Sequence, residues 1–178
     1  MLTGELSTES STENITQPKL RIVLCNPPSP DGFVYIREIN RSGRRSRENT
    51  IWPQASLAMI ASVLSNHDVQ IWDCIAEELS YQDVWKKLND FTPDWMILES
   101  VSSTISHDAI VGMYAHSLGV KTILISPHGK ALNQETRSRF PFFDHVLDYG
   151  QRIEGEPEYV IRELITGETR QPHETFET

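Results

Sequence analysis

Four hydroxyl side chains, Ser100, Ser102, Ser103 and Thr104, fall within five positions directly after the apolar run Trp95 to Leu98. Hydroxyls donate and accept hydrogen bonds, and beside the free N–H groups of a helix N-terminus they suit the polar atoms of a bulky ligand. A single Ser or Thr would also serve as an ordinary helix cap. A second polar stretch, Asn26-Pro27-Pro28-Ser29, stops the apolar run that begins at Leu20. Each proline lacks an N–H and restricts the residue before it, so the strand ends there. A third, Ser126-Pro127-His128-Gly129, follows Val120 to Ile125, and a fourth runs from Gly150 through Gly155 to Glu156. Gly129 and Gly150 allow a flat ligand to approach the backbone closely, or act as turn residues. His128 reads either as a metal or cofactor contact or as a solvated turn residue. None of these side chains is assigned a catalytic role, and no protein metal site is expected.

A basic cluster lies within residues 29–52. Arg37, Arg41, Arg44, Arg45 and Arg47 stand there against Asp31, Glu38 and Glu48. Guanidinium forks recognise phosphate and carboxylate, so the cluster reads as an anion site, a docking surface for an acidic partner, or a solvated loop. Phe33, Tyr35, Ile36 and Ile39 are too apolar for a pure linker and suggest that the segment folds over something. A long stretch without periodicity at a strand end is usually functional or disordered.

The elements that carry these stretches alternate. Leu57, Ile60, Ala61 and Leu64 recur at helical spacing, as do Tyr81, Trp85, Leu88 and Phe91 behind a Ser80 cap. Ile110, Met113, Tyr114 and Leu118 give a third helix, closed by Gly119, and a short polar helix is expected from about Asn133 to Arg139. The last helix has Pro157 near its start, Val160, Ile161, Leu164 and Ile165 on its core face, and Gly167 as its stop. Between them lie strands at Leu20 to Leu24, Asp68 to Asp73, Trp95 to Leu98, Val120 to Ile125 and Phe143 to Asp148. Trp95 to Leu98 reads as central, and the second and fifth as nearer the edges. Five strands alternating with five helices specify an α/β fold: a doubly wound, five-stranded parallel sheet in the flavodoxin-like order 2-1-3-4-5, with helices on both faces. In that order strands one, three, four and five lie side by side, and their polar ends form one rim.

Composition narrows the function class. The chain has 178 residues, 38% hydrophobic and 23% charged, with a net charge of -9, which argues against broad nucleic-acid binding. No apolar run is long enough to span a bilayer, so no membrane partner is expected. Cys25 and Cys74 lack CxxC spacing, which suggests a reducing, cytoplasmic setting. The domain is expected over residues 19–167, with a disordered tail at 1–18 and a polar linker at 168–178.

Taken together, LCNPPSP, the GRR segment, WPQASLAMIASVLSNHDVQIWDC, PDWMILESVSST, ILISPHG and YGQRIEGEPEYVIREL resemble the N-terminal cobalamin-binding domain of B12-dependent radical SAM proteins, over Leu20 to about Leu164. The resemblance implies a module that holds cobalamin at the strand carboxyl ends, with its nucleotide tail in a groove beside the sheet. By position it implies cofactor contacts from Asn26, Pro27 and Pro28; from Ser100, Ser102, Ser103 and Thr104; from Ser126, Pro127, His128 and Gly129; and from Gly150, Gly155 and Glu156. The Asp-x-His-x-x-Gly motif that supplies an axial histidine in mutase-type cobalamin domains is absent, and Asn26-Pro27-Pro28-Ser29 occupies its place. No histidine of that loop is therefore expected on cobalt. The CxxxCxxC motif is also absent, so an iron-sulfur cluster and S-adenosylmethionine would belong to a radical SAM barrel, as a further domain or a partner protein. A non-catalytic interaction domain that has lost its ligand is the alternative. Glu99 rather than Asp ends the third strand, which disfavours a receiver domain.

Overall fold

Ile22, Val23, Leu24 and Cys25 are all fully buried, which requires cover on both faces of the strand they form. A computed structural model describes residues 18–37, 44–126, 130–148 and 157–167. In it, strand β1 (Arg21–Asn26) sits inside a five-stranded parallel sheet. The other strands are β4 (Asp68–Asp73), β5 (Trp95–Glu99), β6 (Lys121–Ser126) and β7 (His145–Asp148), in the spatial order β4-β1-β5-β6-β7. Numbered along the chain, these five strands follow the expected order 2-1-3-4-5. The expected tails lie outside the described residues.

Residue alternation divides the core. Ile22 and Leu24, Trp95 and Ile97, and Ile123 and Ile125 point to one face, where Leu57, Ile60 and Leu64 of the α1 (Ala55–Val63) region and Ile161 and Ile165 of α5 (Pro157–Thr166) cover them. Val23 and Cys25, Met96 and Leu98, and Leu124 point to the other. There they meet Val84 and Leu88 of α2 (Tyr81–Phe91) and Ala109, Val111 and Ala115 of α3 (Ile105–Ser117). A short helix, α4 (Lys130–Arg139), borders β7 and begins earlier than the polar pattern suggests. A helix thus lies between each pair of strands that are consecutive in the parallel sheet, as parallel pairing requires of its connections.

Two expectations are corrected. The segment after β1 has secondary structure: β2 (Tyr35–Ile36) pairs antiparallel with β3 (Arg44–Arg45). Two-residue strands leave too little pattern for periodicity to detect. The core face of α3 is also not the one its large side chains mark. Ile110, Met113 and Leu118 are 40%, 51% and 43% exposed, and the sheet is met instead by Ala109, Val111, Gly112 and Ala115. Small residues let the helix approach closely, and a Cβ on Gly112 would come within 2.4 Å of the Phe143 ring.

Candidate functional site

β1 pairs with β4 on one side and with β5 on the other, although β5 follows β4 in the chain. The connections change direction between β1 and β5, and an open α/β sheet offers its ligand crevice at such a point. The stretches Asn26 to Ser29 and Ser100 to Thr104 meet there. A guanidinium fills the place between them.

Arg37 leaves the β2 strand fully buried, and all of its N–H groups point at acceptors. Nη1 donates to Asn26 Oδ1 at 3.0 Å and to the Pro27 carbonyl at 2.8 Å. Nη2 donates to the Pro28 carbonyl at 3.2 Å and to Asp108 Oδ1 at 2.9 Å. Nε lies 3.2 Å from both Asp108 Oδ2 and Thr104 Oγ1. The pair with Asp108 is therefore two-pronged, and both side chains are 0% exposed. Asp108 Oδ2 also accepts from Ser100 Oγ at 2.7 Å and from Thr104 Oγ1 at 2.6 Å. Burial pushes the Asp108 carboxyl above its ordinary value, against the opposing pull of Arg37 and of the two hydroxyls. Asn26 Nδ2 extends the network to Asp73 Oδ1 at 2.7 Å.

This network joins five of the residues the sequence marks, Asn26, Pro27, Pro28, Ser100 and Thr104, through two it does not assign. Arg37 was grouped with a basic patch, but it is a buried residue. The patch does not include it. Arg41 lies outside the described residues, Arg47 is exposed, and Arg45 stacks on the Phe33 ring, 3.0 Å from its centroid. Asp108 carries the clearest missed signal: a lone acid between Ser106 and Val111, in a helix apolar on nearly every side. Ser100 and Thr104 spend their hydroxyl protons on Asp108. Thr104 is the N-cap of α3 but makes no side-chain cap hydrogen bond; its Oγ1 instead accepts from Arg37 Nε and donates to Asp108.

The remaining rim is more open. Ser102 and Ser103 are exposed at the start of α3. Ser126, at the carboxyl end of β6, is fully buried, and its Oγ has no hydrogen-bond partner among the described residues. On the opposite face of β5, Ser56 Oγ donates to the buried Glu99 carboxylate at 2.8 Å. Pro127, His128, Gly129, Gly150, Gly155 and Glu156 lie outside the described residues. Cys25 and Cys74 are buried free thiols with sulfurs 3.9 Å apart, and burial, then the neighbouring thiol, pushes the Cys25 thiol well up. Such thiols are poor nucleophiles. No group of three metal-ligating side chains occurs among the described residues, and no helix there is long and apolar enough to cross a membrane.

Chemically, the described residues of the switch point offer positioning, since the guanidinium and the carboxylate are both held by fixed partners. Hydrogen-bonding capacity remains at Ser126 among the described residues, and Ser102 and Ser103 present an exposed polar edge. No protein-family model matches the chain, and no solved structure matches it. An uncharacterized methyltransferase of Pyrococcus horikoshii is 28% identical over 149 residues, covering 82% of this chain. The chain spans 29% of the length of that relative.

Proposed function

We propose that this chain is a cobalamin-binding module of a radical SAM enzyme, or a partner to one, that positions the corrin at the strand carboxyl ends without an axial histidine from the first loop. The observation that carries this reading is the similarity to a methyltransferase along 82% of this chain but only 29% of the relative, the proportion expected of one module within a larger methyl-transferring protein. The strand-end motifs named above supply the module's identity.

The described residues are compatible with the cofactor at one side of the rim. Ser126 Oγ is a buried polar atom without a described partner, a group that ordinarily needs one. Ser126, with Ser102 and Ser103, would hold polar groups of the corrin periphery. Asn26, Pro27 and Pro28 would act as a fixed wall, because Arg37 already binds their acceptors. When bound, cobalamin supplies a cobalt that carries a methyl group. The chain's own part is orientation and the exclusion of water, as is usual where a cofactor does the chemistry.

The saturated Arg37 network favours a second reading, in which the switch-point crevice is closed and the fold serves as a non-catalytic interaction domain. The two readings separate on adding hydroxocobalamin and desalting. Retained cobalt absorbance is expected of the module. A colourless protein that still binds a radical SAM protein through Arg45 and Arg47 supports the interaction domain instead.

A further inference from the structure

A separate cavity of about 480 Å³ opens on the other side of β1, where residues 29–34, residues 49–51 and the turn after β4 meet. Gly32 and Phe33 form one wall, Asn49 and Ile51 a second, and Ile75 and Glu78 a third. That volume lies in the range of small-molecule sites, about 300–1,000 Å³, which are mostly apolar with a few placed polar groups. We propose that this cavity binds a small flat ligand with an apolar body and a cationic, hydrogen-bond-donating edge.

Three observations converge on it. First, all three walls are built around left-handed backbone: φ is 77° at Gly32, 51° at Asn49 and 51° at Glu78. Among the described residues the other non-glycine with positive φ is Thr92, at a helix end, so two of three such residues line one cavity. Conformations of this kind cost energy and persist where the surroundings hold them. Second, the walls are pinned. Asp31 accepts from Ser29 Oγ, the Phe33 N–H and the Tyr35 hydroxyl, at 3.1, 3.2 and 2.9 Å. Ser46 N–H donates to the Val34 carbonyl at 2.8 Å, and Thr50 N–H to Ser46 Oγ at 2.9 Å. The Leu79 N–H closes the third wall on the Cys74 carbonyl at 2.9 Å. The cavity therefore stands preformed rather than waiting on a rearrangement.

Third, the lining fixes the sign of the ligand. Glu78 is its one ionisable carboxylate, and neither that side chain nor the Asn49 amide has a partner among the described residues. Arg45, on the Phe33 ring, lies close enough to Asp31 for their charges to attract, and Lys87 pairs with Glu77, so both cations have an acidic neighbour of their own. Ile51, 46% exposed, and the edge and free face of Phe33, which is 38% exposed with Arg45 on its other face, supply apolar surface for a flat body. None of the lining residues is among the contacts proposed for cobalamin, although Ser29 ends the same loop as Asn26, Pro27 and Pro28.

The test is a titration of the full chain with benzamidine, followed by ¹H–¹⁵N correlation spectra in the absence of cobalamin, with benzoate as the probe of opposite charge. Saturable shifts are expected at the amides of Gly32, Phe33, Asn49, Ile75 and Glu78, with benzoate binding more weakly. Glu78→Gln, which keeps the side-chain shape, should weaken benzamidine about fivefold, the scale of one solvent-facing ion pair, and leave benzoate no weaker. Ile51→Ser should weaken both probes. Absence of saturable shifts, shifts centred elsewhere, or benzoate binding as tightly as benzamidine would overturn the proposal. Because no cobalamin is present, none of these outcomes depends on the cofactor reading.

Discussion

Arg37 and Asp108 sit 71 positions apart in the chain and act as one unit, and their energetics are those of a buried ion pair. Desolvating two charges costs as much as their attraction returns, so the pair is worth less as net stability than as a fixed geometry. Removing one partner is different, because the other is then buried with no counter-charge. Arg37→Met should destabilise the fold by about 3–5 kcal/mol in urea unfolding. Adding Asp108→Leu should return a substantial part of that loss, since the stranded carboxylate is gone. A double variant no more stable than Arg37→Met would mean that the guanidinium matters for the Pro27 and Pro28 carbonyls rather than for Asp108. At this scale the sequence was only half legible. Asn26, Pro27, Pro28, Ser100 and Thr104 could be picked out because strand ends and hydroxyl clusters are local patterns. Their shared partners could not, because Arg37 lies beside four other arginines that mask it, and Asp108 meets it only through the tertiary fold.

Elements were read more successfully where one residue type has one physical use. Ser80 accepts from the Asp83 N–H at 3.2 Å while Asp83 accepts from the Ser80 N–H at 2.9 Å, a reciprocal cap that opens α2. Ser80→Ala should cost about 1 kcal/mol in thermal or urea unfolding. The side-chain and backbone hydrogen bonds of Ser80 hold the Asp83 carboxyl below its ordinary value. The unfolded chain then binds more protons between the two values, so this contribution is complete above the unfolded-state value and fades as pH falls through the folded-state one. An NMR titration should find the Asp83 carboxyl moving back toward the ordinary value in Ser80→Ala. The third helix was harder to read, because Ile110 and Met113 outweigh Ala109, Gly112 and Ala115 in any count of hydrophobic residues. Packing is decided by closeness as well as by apolar character. Gly112→Ala should therefore destabilise by about 1–3 kcal/mol through overpacking against Phe143, and Phe143→Leu in the same chain should relieve part of it. Equal stability of Gly112→Ala and the parent would place the helix farther from the sheet than described.

For the whole molecule, alternation of strands and helices makes the parallel α/β sheet legible, and the order 2-1-3-4-5 is the flavodoxin-like one of the common doubly wound arrangements. The short hairpin of β2 and β3 was not legible, since pairing between Tyr35–Ile36 and Arg44–Arg45 depends on where the chain returns and leaves almost no periodic trace. The hairpin matters most to function, because it delivers Arg37 to the switch point and so decides which part of the rim stays available. The proposed cofactor site is thereby shifted toward Ser102, Ser103 and Ser126. Native mass spectrometry of the chain with hydroxocobalamin addresses this most directly, alongside Ser102→Trp/Ser103→Trp, at exposed positions, and Ser126→Ala, which removes the buried hydroxyl with little change in volume. The account predicts a one-to-one cobalamin adduct with the parent chain and a weakened one with both variants, while their unfolding transitions stay close to the parent's; no adduct with the parent, or an adduct equally abundant in both variants, would contradict it.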